Sequence, residues 1–260
     1  MVLLYLVIAI FAGFLAPYSP TEQHTKDRIQ PPSSAYLLGT DEFGRDILSR
    51  LMHGATNSLQ VSLLSVAVSG LLGTVIGILS GFYGGWVDNL FMRLMDLIFA
   101  FPAILLALAI SAALGPGLNN TIIAISIVYM PIFSRVARGS VLQIKELEFI
   151  EATRAMGSSN SRLIFMHVLP NSFTPTIVQI SLALSWAMLT EASLSFLGLG
   201  TIPPDPSWGS MLSEARLMME LAPWMAIAPG VAIMLGILGF NLLGDGLRDI
   251  LDPRLRSMVK

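Results

Sequence analysis

Uncharged apolar runs fill most of the chain, and polar residues gather between them. A helix crossing the hydrocarbon core needs about 20 apolar residues at about 1.5 Å rise each. The first run, Met1 to Ala16, ends at Pro17 and is slightly short. It has no basic flank and FAGFLAPYSP has no A-x-A cleavage site, so it reads as an uncleaved anchor rather than a signal peptide. No charge lies between Arg50 and Asp88, and the strongest window there is residues 61–80. None lies between Asp96 and Arg135 either, a run too long for one helix and broken by GPGLNN at residues 115–120. Spans three and four are therefore predicted at 97–114 and 119–136, the fifth at 174–198 and the sixth at 223–243.

Two amphipathic stretches lie between spans. In LGTDEFGRDILSRLMHG, Ile47, Leu48, Leu51 and Met52 share a face, and Thr40 or Asp41 can cap, which predicts a short interfacial helix. In PSWGSMLSEARLMMELAPW, Met211, Leu212, Ala215 and Met218 form one stripe. Both are read as packing helices that brace the spans, ahead of a substrate-binding role.

The loop at residues 138–172, RGSVLQIKELEFIEATRAMGSSNSRLIFMHVLPNS, carries the most information. Val141, Ile144, Leu147 and Ile150 have helical spacing, with charges of both signs around them. Gly157 is a natural helix C-cap, because it enters the left-handed conformation freely. Ser158, Ser159 and Asn160 make the turn. A second short helix holds Leu163, Ile164 and Phe165, and Pro170 is expected to end it. The result is a helix–turn–helix knob.

Composition sharpens the class. Hydrophobic residues are 54% and charged residues 12%, against about 25% charged in a soluble domain. The fold class is all-α, a polytopic membrane protein with six transmembrane helices. A net charge of -2 excludes a basic nucleic-acid binder, and the absence of Cys excludes disulfides and thiolate sites. His24, His53 and His167 lack metal-ligand spacing. If the C-terminus is cytoplasmic, inside segments hold Arg93, Arg135, Arg138, Lys145, Arg154, Arg162, Arg248, Arg254, Arg256 and Lys260. Outside segments then hold only Lys26, Arg28, Arg45, Arg50 and Arg216, so both termini are predicted cytoplasmic in the cell's cytoplasmic membrane.

Active-site signatures are missing. Lys26, Lys145 and Lys260 are the only lysines and none follows a Gly, so there is no Walker A loop; there is no G-x-S-x-G elbow. The chain is not expected to be an enzyme, nor to hold a cofactor or metal. Asp96 and Asp245 flank helices, which disfavours an intramembrane aspartyl protease. Glu191 is the one acid well inside a span. A charge there is costly unless paired, neutral or facing water. It can line a translocation path, pair across a helix interface, or be a capped structural residue. Gly70, Gly73 and Gly77 allow close helix approach, and Pro102, Pro131 and Pro175 allow bends.

The knob carries a specific resemblance. EATRAMG, nine residues, then His167, Val168, Leu169 and Pro170 resembles the EAA loop of ABC-importer permeases, E-A-A, three residues, G, nine residues, I-x-L-P. Glu151, Ala152, Gly157, Leu169 and Pro170 fall in register; Thr153 replaces the second Ala and His167 the Ile. LGTDEFGRDILSRL, GFYGGWVDN, TEASLSFLGLG, PSWGSML and FNLLGDGLRDILDPRL resemble the C-type permease subunit of dipeptide, oligopeptide and nickel importers. That family usually has a cytoplasmic stretch before the first span, whereas Met1 here already lies in the span.

The resemblance implies a type I ABC importer permease fold. Residues 1–57 would be the first span and external loop, residues 58–247 the five-helix transmembrane domain, and residues 248–260 a cytoplasmic tail. It implies a second, B-type permease, two ATP-binding subunits that bind ATP and Mg, and an extracytoplasmic solute-binding protein. Glu151, Ala152, Gly157, Leu169 and Pro170 would couple the chain to an ATPase. A self-sufficient secondary transporter is the main rival, but no internal repeat is visible; an exporter commonly carries its own P-loop.

Overall fold

The computed structural model describes residues 1–251, and every described regular element is helical. The helices are α1 (Val2–Leu15), α2 (Ile47–Tyr83), α3 (Gly85–Phe99), α4 (Ala103–Leu114), α5 (Leu118–Ile144), α6 (Glu148–Ala155), α7 (Asn160–Leu163), α8 (Leu169–Phe196), α9 (Trp208–Ala215) and α10 (Trp224–Leu251). A π-helical turn, Ile164–Val168, joins α7 to α8. The predicted tail lies outside the described residues from position 252 onward, and so do Arg254, Arg256 and Lys260.

Four described helices are long and apolar enough to span a membrane: α2, α5, α10 and the continuous stretch of α7, the π turn and α8. The pair α3 and α4, bent by 91°, adds a fifth when it is counted as one span. α1 is apolar but shorter. Six helical passes are thus reached only by counting the bent pair and α1.

The described residues divide into two compact units, residues 1–65, 106–125 and 184–241, and residues 66–105, 126–183 and 242–251. In the first, α1 is held by polar contacts made inside an apolar setting. Tyr5 donates its hydroxyl to the Ala232 carbonyl at 3.0 Å, and Thr56 donates to the Ala9 carbonyl at 2.7 Å. Trp208 is 1% exposed and donates its indole N–H to the Leu51 carbonyl at 3.0 Å. In the second unit, α2 lies directly on α5. A Cβ added at Gly73 would meet the Met130 carbonyl oxygen at 2.6 Å; at Gly77 it would collide with the Ser134 carbonyl oxygen. Gly73, Gly77 and Gly81 form a small-residue stripe that lets the two backbones touch.

Several predicted boundaries move. Ile47, Leu48, Leu51 and Met52 are not a separate interfacial helix but the first turns of α2, which runs on unbroken because no proline intervenes. The cap is not Thr40 or Asp41 but Asp46, whose Oδ2 accepts the Ser49 N–H at 2.8 Å. Gly44, at φ +77°, turns the chain between them, and Asp41 instead accepts the N–H groups of Phe43 and Arg45 at 2.8 and 2.9 Å. Span three breaks at Pro102, which lies in the three-residue gap between α3 and α4. α9 stops at Ala215, so Met218 is not on its stripe; Met211 and Ala215 are buried as expected.

Candidate functional site

The knob is built from α6, α7 and the π turn. Its first helix is shorter than its periodicity predicts: Val141 and Ile144 belong to the end of α5, and Leu147 is the extended N-cap of α6. Glu148 and Glu151 lie in the first turn of α6 and Arg154 in the last, which suits the helix dipole. Gly157 takes φ +85°, as expected of a C-cap. The Gly157 N–H donates to the Arg154 carbonyl at 2.9 Å and the Ser158 N–H to the Thr153 carbonyl at 3.3 Å. These two bonds are a Schellman motif, which satisfies carbonyls that the helix end leaves free. Ser159 then caps α7 by accepting the Arg162 N–H.

Pro170 does not end the second helix. It lies in the first turn of α8, and the chain is helical on both sides of it. The Leu169 N–H donates to the Ile164 carbonyl, five residues back, so the turn is widened just before the ring that has no N–H to give. The knob is rooted in an apolar cluster: Ile150, Leu163 and Val168 from the knob meet Val141 and Ala137 of α5 and Ile78 and Phe82 of α2, with Leu169 packed at the edge. His167, where the resemblance has Ile, makes an edge-on contact with Phe149, ring centroids 6.0 Å apart. Glu151, Ala152 and Gly157 are exposed. So are Met156, Phe165 and Met166, each more than 65% exposed, an apolar surface left open on the knob.

Glu191 lies elsewhere, in the first unit, and is 1% exposed. Its Oε1 accepts the hydroxyl of Ser195, one turn on in the same helix, at 2.7 Å; the Ser58 and Ser207 side chains lie close to the carboxyl, and Oε2 has no hydrogen-bond partner. Ser58 Oγ accepts the Trp208 N–H at 3.2 Å and Ser207 Oγ accepts the Ser210 N–H at 3.2 Å. Both hydroxyl hydrogens therefore remain to be given to the carboxylate. Three elements, α2, α8 and the capped start of α9, converge on this one acid. A cleft between α8, α9 and α10 is lined by Leu189, Ala192, Leu197, Leu212 and Gly230, and Glu191 is not part of its wall.

Sequence reasoning did not find two charge clusters. Before and after α2's start, Arg45 donates to Asp41 at 2.5 Å and to Glu214 at 2.8 Å, and Arg50 donates to Glu214 at 2.9 Å; Arg45, Arg50 and Asp41 are all buried. On α3, Asp88 pairs with Arg138 of α5 and Asp96 with Arg135. The only local signal was the presence of charges at the ends of apolar runs. In the loop before α2, burial and the bond to Asp27 push the Tyr36 hydroxyl up to about 12. Among the described residues, no group of three or more metal-ligating side chains converges.

Residues 73–257 match the family model described as binding-protein-dependent transport system inner membrane component. The chain is 49% identical over 253 residues, 97% of its length and 83% of the relative's, to the dipeptide transport system permease protein DppC of Alkalihalophilus pseudofirmus. It is 48% identical over 257 residues, 98% of its length and 85% of the relative's, to the glutathione transport system permease protein GsiD of Pectobacterium atrosepticum. In fold it is similar to a chain of the MetNI methionine ABC transporter in an inward-facing form, with TM-score 0.64, 15% identity, and coverage of 79% of this chain and 98% of that one. A chain of an amino acid ABC transporter is similar at TM-score 0.60 and 14% identity, covering 77% and 94%. The architecture is thus that of ABC-importer permeases, and the chain belongs to the family of binding-protein-dependent transport system inner membrane components, the multi-pass permease subunits of ABC importers.

Proposed function

We propose that this chain is the C-type permease of an ATP-driven peptide importer. It pairs with a B-type permease and with two ATP-binding subunits that carry ATP and Mg, and it receives substrate from an extracytoplasmic solute-binding protein. It carries no ATPase site of its own. Both termini and the knob face the cytoplasm, in keeping with the distribution of Lys and Arg. Peptides are favoured over nickel chelates because the relatives are named for dipeptide and glutathione transport.

The observation that carries this reading is the knob itself. Glu151, Ala152 and Gly157 are presented on a loop that is capped at Gly157 and rooted by Leu163, Val168 and Leu169. A rooted, capped loop moves as a lever rather than flexing, so closure of an ATPase dimer beneath it switches the spans between two states. Leu169 and Pro170 form its lower joint. Glu191 acts as a helix-pairing residue rather than a wall of the path: it is sealed from solvent, bonded to Ser195 of its own helix, and close to Ser58 of α2 and Ser207 at the start of α9.

The test is an affinity pull-down of the tagged chain from gently solubilised native membranes. Recovery of two ATPases and a second permease is expected. Recovery of the chain alone, with peptide uptake indifferent to ATP depletion, would overturn the proposal.

A further inference from the structure

α3 stands between two joints. At its start, Gly84 and Gly85 take φ +63° and +53°, and a Cβ on either would meet nothing within 4 Å. At its end the chain breaks at Ala100–Pro102 and turns by 91° into α4. Along its length only Met95 is buried. Val87, Phe91, Met92 and Ile98 are half-buried, and two charge pairs add directed contacts to that packing. The Arg138 guanidinium meets the Asp88 carboxylate fork to fork, Nε donating to Oδ1 and Nη2 to Oδ2, both at 2.6 Å. Arg135 donates a single bond to Asp96 at 2.7 Å.

The two pairs are not equal. The Asp96 and Arg135 side chains are 63% and 44% exposed, and an open single-bond pair contributes little. The Asp88 and Arg138 side chains are 19% and 34% exposed, and a bidentate pair is both stronger and directional. Arg138 sits one turn before Val141 and Ile144, the α5 residues on which Ile150, Leu163 and Val168 of the knob are rooted. It also stands where α5 is pressed onto α2: a Cβ at Gly77 would meet the Arg138 nitrogen at 2.9 Å.

We infer that the Asp88–Arg138 pair is a positioning clamp that makes α3 travel with the knob, so that knob movement is carried to α3. This rests on the coupling role proposed above. The chain has no cysteine, so nitroxide labels can be placed on it singly or in pairs. In the purified complex, distances would be measured by pulsed spin resonance between Arg93→Cys on α3 and Ser161→Cys on the knob, without nucleotide and with ATP and vanadate. A second pair, Ser33→Cys and Ser161→Cys, reports whether the knob moves at all.

In an otherwise native complex, the Ser33–Ser161 distance should change with nucleotide while the Arg93–Ser161 distance stays single and narrow. Asp88→Asn should broaden the Arg93–Ser161 distribution and make it nucleotide-dependent. The exchange Asp88→Arg with Arg138→Asp should restore it, which a merely space-filling role for either residue does not predict. If Asp88→Asn does not assemble, the exchange variant decides. A narrow, nucleotide-independent distribution in Asp88→Asn, or an exchange that assembles yet restores nothing, overturns the clamp. A Ser33–Ser161 distance indifferent to nucleotide in the native complex overturns the coupling role instead.

Discussion

Replacing Gly157 separates strain within the chain from contact with a partner. The residue sits at φ +85°, and a Cβ there would meet no atom of this chain within 4 Å. The cost of Gly157→Ala inside the chain is therefore backbone strain alone, about 1–2 kcal/mol for an L-residue held left-handed. Asn and Asp tolerate that conformation better, so Gly157→Asn and Gly157→Asp should cost less than Ala within the chain. Typical domain stability is about 5–15 kcal/mol, so all three variants should insert and fold. If the only role of Gly157 is to close α6, damage should rank Ala worst and Asn least. If the turn enters a cleft on an ATPase, damage should follow the size and charge of the added group, with Asp worst, Asn next and Ala least. A tenfold loss of ATPase recovery corresponds to about 1.4 kcal/mol, within the range that one clash or one misplaced charge supplies. The assay is quantitative recovery of ATPase subunits with the tagged chain, alongside uptake of a radiolabelled dipeptide. The ranking Asp, Asn, Ala is expected. Native recovery and uptake with Gly157→Asp would refute the reasoning.

Three other substitutions test the scaffold. Gly77→Val drives a branched side chain into the Ser134 carbonyl and Ala137, so it should cost at least about 1–3 kcal/mol and lower the melting temperature in detergent, while Gly139→Ala, with open space around it, should not. Glu191→Ala leaves the Ser195 hydroxyl without its acceptor and removes the polar neighbour of Ser58 and Ser207, and should destabilise by about 1–3 kcal/mol, whereas Glu191→Gln keeps an acceptor oxygen and should lose less; equal melting temperatures for the two would contradict the helix-pairing role. Glu214→Ala strips an acceptor from the buried Arg45 and Arg50 and should cost on the order of 3 kcal/mol, against no change for the exposed Arg216→Ala, both read by thermal unfolding of the purified chain.

Spans were legible where a run of uncharged residues was as long as a membrane is thick, because that requirement depends on local composition alone. The capped turn at Gly157 was legible for the same reason, since a left-handed residue is a local demand. What escaped was set by distance in the chain. Asp88 and Arg138 are 50 residues apart, and Arg45 and Glu214 are 169 apart. Nothing in either neighbourhood announces the partner. Glu191 was flagged as costly, and its bond to Ser195 lies within its own helix, but the neighbouring Ser58 and Ser207 come from distant segments that nothing around Glu191 announces. The break at Pro102 was open to two readings, a bend or a plain helix end, and only the packed chain decides between them.

The five residues of the EAA resemblance divide into two kinds once their surroundings are known. Gly157 is explained by the chain itself, since its left-handed turn closes α6 through two backbone bonds. Leu169 packs against the root cluster, and Pro170 follows a widened turn whose last N–H, that of Leu169, already reaches back five residues. These three would be needed to build the knob whatever it touched. Glu151 and Ala152 are different: both are exposed on α6, and neither closes a turn nor fills the core. An exposed Ala favours the helix by its propensity, but the interior sets no limit on its size. A limit arises only if another surface comes close. The same holds for Met156, Phe165 and Met166, apolar groups left exposed on the knob. The interior residues thus specify the shape of the knob, and under the coupling role proposed above the residues that the interior does not need are the ones a partner would meet.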